Sequence, residues 1–284
     1  MLFFLLSTDH LETKLWFGND IDYCAAMNYV GISAYRTGVR VMSFILMSNH
    51  VHFVLECTWI QAETFINFFK NQYSLYRRKQ YGDKEFLRGN RVDIQEITLN
   101  GESLEKAIAY VQMNSVAARL CVHPTGYRWG TGNVFFNSDR SPGRPIGTFS
   151  ARFVAKALHS RLPVNPEWLI GEGGYILPES YVAVTFVESL YKTPSRYQYF
   201  LDCSSKAKKN KDVLAPSFSD QLILTASLNL CRTLFRANSV DDLSPSQAVA
   251  LVKELRRRFS SDVAQIARVT GITYKEIVRA LENF

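Results

Sequence analysis

The order of strand-like and helix-like segments near the start of the chain is the feature that most limits its possible folds. Residues 2–7 form an apolar run of strand length, and residues 20–38 carry apolar side chains at helical spacing. Residues 39–57 are mostly β-branched and apolar, and Ser48-Asn49 in their middle predicts a tight turn between two strands. The sequence therefore predicts a strand, a helix and then a β-hairpin.

The next sixty residues predict two further helices with a strand between them. Thr58 followed by Gln61 is a capping box, which predicts a long helix that ends near Gly82. Residues 91–98 begin with strand-like alternation, and residues 103–120 contain no Gly or Pro and favour a helix. The order β-α-β-β-α-β-α resembles a ferredoxin-like sandwich with one extra helix, an antiparallel sheet covered on one side. The predicted fold class is α+β, with a C-terminal all-helical region.

Capping and turn signals predict that helical region. Ser244, Pro245 and Gln247 combine an N-cap, a first-turn proline and a capping-box glutamine ahead of an amphipathic run. Gly271 then lies between apolar positions at the spacing of a helix-turn-helix, although any compact helical hairpin shares that pattern. Basic side chains around this motif predict contact with DNA, in particular Arg268, Lys275 and Arg279.

Two segments divide the chain into three predicted regions. Residues 139–146 contain two prolines and a glycine, and residues 204–212 carry four lysines in six positions, which is typical of a mobile linker. We therefore expect a sheet-containing domain over residues 1–139, a connecting region with the Lys-rich linker over 140–213, and a helical domain with the helix-turn-helix-like motif over 214–284.

The distribution of charge predicts a polyanionic partner. The 284 residues have a formal net charge of +7, with net +5 in residues 70–91 and net +5 in residues 204–284, so the remainder is net negative. Nucleic acid is the commonest polyanion, and solvated helix faces are the alternative explanation. In the first basic zone the candidates for phosphate contact are Arg77, Arg78 and Lys79. Candidates for stacking on unpaired bases, each equally suited to a core, are Tyr73, Tyr76 and Trp129.

Composition and cysteine spacing exclude several other classes of protein. With 47% hydrophobic, 13% aromatic and 21% charged residues, the chain is not expected to be disordered, collagen-like or a coiled coil. The opening apolar run is too short to span a bilayer and follows no basic stretch, so we expect a cytoplasmic protein without membrane contact. The five cysteines form no Cys-x-x-Cys pair and are interpreted as buried, reduced thiols.

Four residues could together carry chemistry. His50 and His52 are two apart on a predicted strand, so both imidazoles point to one face and can share a divalent cation, while Val51 points into the opposite layer. Tyr110 and Asn114 are four apart on a predicted helix and therefore share a face. Asn114 can offer a carbonyl oxygen to the same cation, and the Tyr110 phenol can attack a phosphodiester that a metal polarises.

These residues lie in two blocks that together resemble a known family. The segment at residues 44–55, FILMSNHVHFVL, and the segment at residues 109–118, AYVQMNSVAA, are similar to the histidine block and the tyrosine helix of the single-tyrosine HUH transposases. These are the insertion-sequence-200-like enzymes and their REP-associated relatives, and Pro124, Tyr127 and Trp129 resemble the tail of the REP-associated branch. The resemblance covers residues 1–137 and departs at Ser115, where that branch usually has proline.

The resemblance implies a fold, a reaction and a cofactor. It implies a ferredoxin-like nuclease domain that cuts single-stranded DNA, often beside a hairpin, through a covalent 5′-phosphotyrosine, and then rejoins the strand. In that scheme Tyr110 is the nucleophile, and His50 and His52 bind Mg²⁺ or Mn²⁺ with Asn114 as a third ligand. Double-stranded DNA is a possible second partner through the C-terminal region, and the protein is expected to be a monomer or a homodimer.

Two other functions remain open at the level of sequence. The chain could be a catalytically idle DNA-binding regulator derived from a transposase, which would use the basic zones and the helix-turn-helix alone. It could also be an unrelated metal-dependent hydrolase that activates water, in which case Tyr110 would be dispensable. The presence of both histidines, the tyrosine and the asparagine favours the transesterase.

Overall fold

The computed structural model describes residues 2–98, 100–139, 142–205 and 218–282. The chain folds into two compact units. The first unit comprises Met1–Asp9, Ile21–Leu46 and Val51–Val213, and the second comprises His10–Asp20, Met47–His50 and Leu214–Phe284. Most of the predicted Lys-rich linker falls on residues 206–217, outside the described residues.

A four-stranded antiparallel sheet organises the first unit, and the α+β prediction is confirmed. The strands are β1 (Leu2–Thr8), β2 (Arg40–Met47), β3 (His50–Cys57) and β4 (Val92–Glu96), in the spatial order β2-β3-β1-β4. β1 is antiparallel to both β3 and β4. The turn predicted at Ser48-Asn49 joins β2 to β3.

Two long helices accompany the sheet, α1 (Asp20–Thr37) and α2 (Trp59–Tyr81). The predicted capping box of Thr58 and Gln61 begins α2, and Gly82 ends it with a φ of 78°, a left-handed conformation that costs glycine little. Phe53 of β3 packs on α2, with ring centroids 5.2 Å from Phe65 and 5.5 Å from Phe69. These ring pairs hold α2 against one face of β3.

The other face of β3 is also covered, contrary to the sheet with one open side that the sequence predicts. His52 precedes Phe53 and therefore points to the opposite face, where its ring meets Tyr110 of α3 (Ser103–Gln112). The extra helix therefore lies across the sheet from α2. This placement explains why β2 and β3 are buried along almost their whole length.

The helix predicted over residues 103–120 is interrupted. α3 ends at Gln112, and a short helix α4 (Asn114–Ala117) follows after Met113. The side-chain amide of Asn114 donates to the carbonyls of Tyr110 (3.0 Å) and Val111 (3.1 Å), competing with backbone hydrogen bonds at the end of α3. Composition alone does not reveal this competition, because Asn lies inside an otherwise helix-favouring run.

The rest of the first unit contains short elements, and over residues 147–203 the sequence pattern predicts no clear structure. Its short strands β5 (Gly143–Pro145) and β6 (Leu169–Gly171) pair with each other. Its helices are α5 (Ala151–Ala157), α6 (Val184–Tyr191) and α7 (Pro194–Cys203). α7 packs against α3, and the hydroxyl of Tyr191 donates to the carbonyl of Glu105 on α3 (2.7 Å).

The second unit is helical, as predicted, with α8 (Asp220–Phe235), α9 (Pro245–Phe259), α10 (Val263–Thr270) and α11 (Tyr274–Glu282). Gly271 ends α10 with a φ of 76°, and the Thr273–Glu276 cap starts α11, so the predicted helical hairpin is present. Its core includes Ile223, Leu251 and Ile266. None of the helices in the described ranges is long and apolar enough to cross a membrane.

The predicted state of the cysteines is only partly correct. None of the five, all within the described ranges, forms a disulfide, but only Cys231 is buried; Cys24, Cys57 and Cys121 are half-buried and Cys203 is exposed. The prediction of burial is wrong for these four because their neighbours along the chain do not determine how deep each lies.

Candidate metal and tyrosine site

His52 and Tyr110 are brought together across the sheet. His52 lies in the middle of the first unit's sheet, opposite Ser7 of β1, and is 4% exposed. Its ring meets that of Tyr110 edge-on, with centroids 5.9 Å apart and an interplanar angle of 82°. These residues are 58 positions apart in the chain, so their meeting is a result of the tertiary fold.

A hydrogen bond orients the imidazole of His52. The hydroxyl of Ser7 lies 2.7 Å from Nδ1 of His52. Partners of this kind fix the rotation of metal-binding histidines and select the ring nitrogen that faces the metal. Occupation of Nδ1 by Ser7 makes Nε2 the nitrogen suited to a cation.

His50 has a similar constraint within the second unit. Its Nδ1 lies 2.8 Å from Oδ1 of Asn49, and an amide oxygen can only accept, so Nδ1 carries the proton and Nε2 the lone pair. Asn49 also donates from Nδ2 to the carbonyl of Leu11 (3.2 Å). Asn49 therefore both closes the predicted turn and holds the imidazole of His50.

Sequence reasoning missed His10. It is isolated in the sequence, yet its ring stacks on His50 with centroids 3.8 Å apart and an interplanar angle of 13°. His10 is exposed, whereas His50 is 6% exposed, so His10 covers an imidazole that is otherwise almost enclosed. The strand pattern contains no signal for this stacking, because His10 lies in a loop.

Asn114 and Tyr110 keep the one-turn relation that their spacing predicts. The amide nitrogen of Asn114 donates to carbonyls of α3, which leaves the side-chain oxygen Oδ1 as the end suited to a cation. Asn114 is 4% exposed, whereas Tyr110 is half-buried. Tyr110 therefore keeps part of its surface exposed beside a largely enclosed histidine.

The donor set fits a hard divalent cation. Within the first unit it comprises Nε2 of His52 and the amide oxygen of Asn114, and the two-residue period of β3 predicts the same strand face for His50. No group of three or more His, Cys, Asp or Glu side chains that could hold a metal occurs in the described parts of the chain. A cation at this site would therefore depend on the asparagine as well as the histidines.

The three candidates for phosphate contact in the first basic zone divide into one largely buried arginine and two exposed cations. Arg77 is 15% exposed and forms ion pairs with Asp22 (3.3 Å) and Asp83 (2.7 Å). Its guanidinium also lies over the ring of Tyr81, 4.2 Å from the centroid. The buried carboxylate of Asp22 already neutralises Arg77. Arg77 therefore stabilises the fold, in contrast to its predicted contact with DNA. Arg78 and Lys79 are exposed and remain candidates.

The predicted base-stacking aromatics belong to the core. Tyr73 is completely buried, Tyr76 is 5% exposed and Trp129 is 6% exposed. A ring enclosed on both faces has no surface for a nucleobase, so the stacking hypothesis is wrong for these three residues. Trp129 instead stacks on Tyr23, with ring centroids 4.6 Å apart.

The three candidates for DNA contact in the second basic zone also divide into one internal arginine and two exposed cations. Arg268 of α10 pairs with the 5%-exposed Asp220 of α8 (3.0 Å), and the same carboxylate accepts hydrogen bonds from Gln265 (3.0 Å) and Ser48 (2.6 Å). Arg268 is thus occupied inside the second unit. Lys275 and Arg279 are exposed on α11 and remain candidates for contact with nucleic acid.

The comparisons with known proteins identify no relative. The chain matches no family model, and neither a curated protein nor a solved structure is significantly similar to it. A functional proposal therefore depends on the sequence motifs and on the geometry of the site.

Proposed function

We propose that this protein is a metal-dependent transposase that cleaves and rejoins single-stranded DNA through Tyr110. The observation that carries the proposal is the edge-on packing of Tyr110 against His52, which joins the two motifs of the resemblance in one place. The strand order β2-β3-β1-β4 is that of a ferredoxin-like sheet and agrees with the fold expected of an HUH nuclease.

The proposed reaction is a pair of transesterifications. The phenolic oxygen of Tyr110 attacks the scissile phosphorus as its proton is lost, and a phosphorus–oxygen bond to the 3′ oxygen breaks. The 3′ oxygen takes up a proton and leaves as a hydroxyl, while the 5′ phosphate stays bonded to the tyrosine. Attack of a 3′-hydroxyl on this phosphotyrosine reverses both bond changes and rejoins the strand.

The chain's own residues assign the supporting roles. His50, His52 and Asn114 would hold Mg²⁺ or Mn²⁺, which supplies positive charge to stabilise the phosphate oxygens in the transition state. Ser7 and Asn49 orient the two imidazoles through their Nδ1 atoms. The half-buried position of Tyr110 leaves its ring accessible to a strand of DNA.

The test is formation of a covalent protein–DNA adduct. Labelled single-stranded oligonucleotides with hairpins are incubated with the protein and Mn²⁺ and analysed on a denaturing gel. Tyr110→Phe keeps the ring beside His52 but lacks the attacking oxygen, so we expect it to form no adduct. The matched control is Tyr35→Phe, because Tyr35 is an exposed tyrosine of α1 outside the site and should leave the adduct unchanged.

The alternatives give different results in the same assay. Cleavage that survives Tyr110→Phe would overturn the proposal in favour of a hydrolase that uses water. DNA binding without any adduct, across a library of hairpin sequences, would favour an idle DNA-binding regulator. His52→Ala tests the role of the metal, because loss of the imidazole should lower both the affinity for Mn²⁺ and the yield of adduct.

A further inference from the structure

A cleft of about 490 Å³ opens beside Tyr110 within the first unit. Its walls come from α3 and α7, so the predicted sheet-containing domain and the predicted connecting region both contribute residues to the cleft. The lining residues include Lys106, Ala107 and Tyr110 from α3 and Tyr199, Phe200 and Cys203 from α7.

One wall of the cleft carries a positive charge one helical turn from the nucleophile. Lys106 and Tyr110 are four residues apart on α3 and so share a face. Lys106 is exposed, and its ammonium has no hydrogen-bond or ion-pair partner among the described residues. A cation in this position complements a phosphate group that lies next to the phenol of Tyr110.

The opposite wall carries an exposed aromatic ring. Tyr199 is 61% exposed, and its ring stands edge-on to Phe200, with centroids 5.8 Å apart and an interplanar angle of 88°. Phe200 is itself 3% exposed and packs against Tyr191, with ring centroids 5.4 Å apart. Tyr199 therefore packs on a buried ring, and its own exposed ring lines the cleft.

We infer that this cleft binds an unpaired DNA base next to the phosphate that Tyr110 attacks, with the base stacked on Tyr199 and an adjoining phosphate paired with Lys106. This inference rests on the proposed function and adds a substrate site to it. Only unpaired bases can separate from their neighbours and offer a face to an aromatic side chain, whereas bases in a duplex are covered on both sides. The cleft would thus select single-stranded DNA, and α7 would supply the ring on which the base stacks.

The test measures binding of single-stranded oligonucleotides by fluorescence anisotropy in the Tyr110→Phe background. An abasic site is moved one position at a time through the nucleotides on both sides of the candidate cleavage position. We expect one abasic position to weaken binding about tenfold, which corresponds to the loss of one stacked base. In Tyr199→Ala the same position should have no further effect, while Tyr199→Phe should behave as the parent protein.

A second pair of variants tests the cation. Lys106→Gln should weaken binding and reduce its salt dependence, whereas Lys156→Gln, which removes an equal charge from the exposed face of α5, should have a smaller effect. Equal effects of the two lysine variants, or abasic and Tyr199→Ala effects that simply add, would overturn the inference.

The inference and the proposed function fail in distinguishable ways. A stacking effect that depends on Tyr199, with no adduct formed by the wild-type protein, would sustain the cleft and overturn the transesterase. An adduct formed by the wild-type protein, with binding unaffected by Tyr199→Ala, would sustain the enzyme and overturn the cleft.

Discussion

At the level of single residues, the clearest expectation concerns the hydrogen bond between Ser7 and His52. Removal of the hydroxyl in Ser7→Ala frees the imidazole to rotate and exchange tautomers, so we expect the affinity for Mn²⁺ to fall about 10- to 100-fold. Isothermal titration with Mn²⁺ measures this change. Ser33→Ala, which removes the hydroxyl of a buried serine on α1, is the control. An unchanged affinity in Ser7→Ala would show that Ser7 does not orient a metal ligand.

A second expectation at this scale concerns the thiol at the end of β3. Burial, together with the neighbouring carboxylate of Glu56, raises the pKa of Cys57 to about 11. Only the thiolate reacts with iodoacetamide, so its rate of alkylation should rise about tenfold for each pH unit between about pH 7 and pH 10. Peptide mass spectrometry measures the rate at Cys57, with the exposed Cys203 as an internal reference. A rate that levels off near the ordinary thiol pKa of about 8.5 would contradict the raised pKa.

At the level of elements, Asp220 connects the start of α8 with α10 and with the turn before His50. Its carboxylate accepts from Ser48, Gln265 and Arg268, and it is 5% exposed. Asp220→Ala leaves a partly buried guanidinium without its partner, so we expect the free energy of unfolding to fall by about 3 kcal/mol. Urea unfolding measures this loss.

The matched control for Asp220 is another acid in the same unit. Glu254 pairs with Arg257 and Arg258 on the exposed side of α9, where solvent screens the charges. Glu254→Ala should leave the unfolding midpoint unchanged within error. Equal losses in the two variants would mean that the buried carboxylate stabilises this unit no more than an exposed one does.

At the level of the whole molecule, two exposed pairs of basic side chains are candidates for DNA contact, Arg78 and Lys79 in one unit and Lys275 and Arg279 in the other. Removal of one phosphate-binding cation should reduce the slope of log affinity against log salt by about 0.7 for single strands and about 0.9 for duplex DNA. We expect the Arg78→Ala/Lys79→Ala double variant to weaken single-strand binding and to flatten its salt dependence.

The same measurement on duplex DNA tests the other surface. Lys275→Ala/Arg279→Ala should reduce the duplex slope, while Arg152→Ala/Lys156→Ala on the exposed face of α5 removes the same charge and should change neither slope by a comparable amount. If all three double variants reduce both slopes equally, net charge alone drives binding, and neither surface binds DNA specifically.

The sequence by itself determined the elements whose signals are local. The hairpin at Ser48-Asn49, the capping boxes of α2 and α9 and the glycine turn after α10 all depend on residues within a few positions of one another, and all are present. The spacing of His50 and His52 likewise followed from the two-residue period of a strand. Such features are predictable because short-range sterics and hydrogen bonds decide them.

The tertiary structure decided which residues contact one another and which are already paired inside the protein. The stacking of His10 on His50, the pairing of Arg268 with Asp220 and the wall that Tyr199 adds beside Tyr110 join parts of the chain that local patterns treat separately. These arrangements depend on how helices and strands pack, and packing reflects the burial of all apolar faces together. A basic or aromatic residue looks the same in sequence whether it faces a ligand or a buried partner, so only the folded chain separates the two.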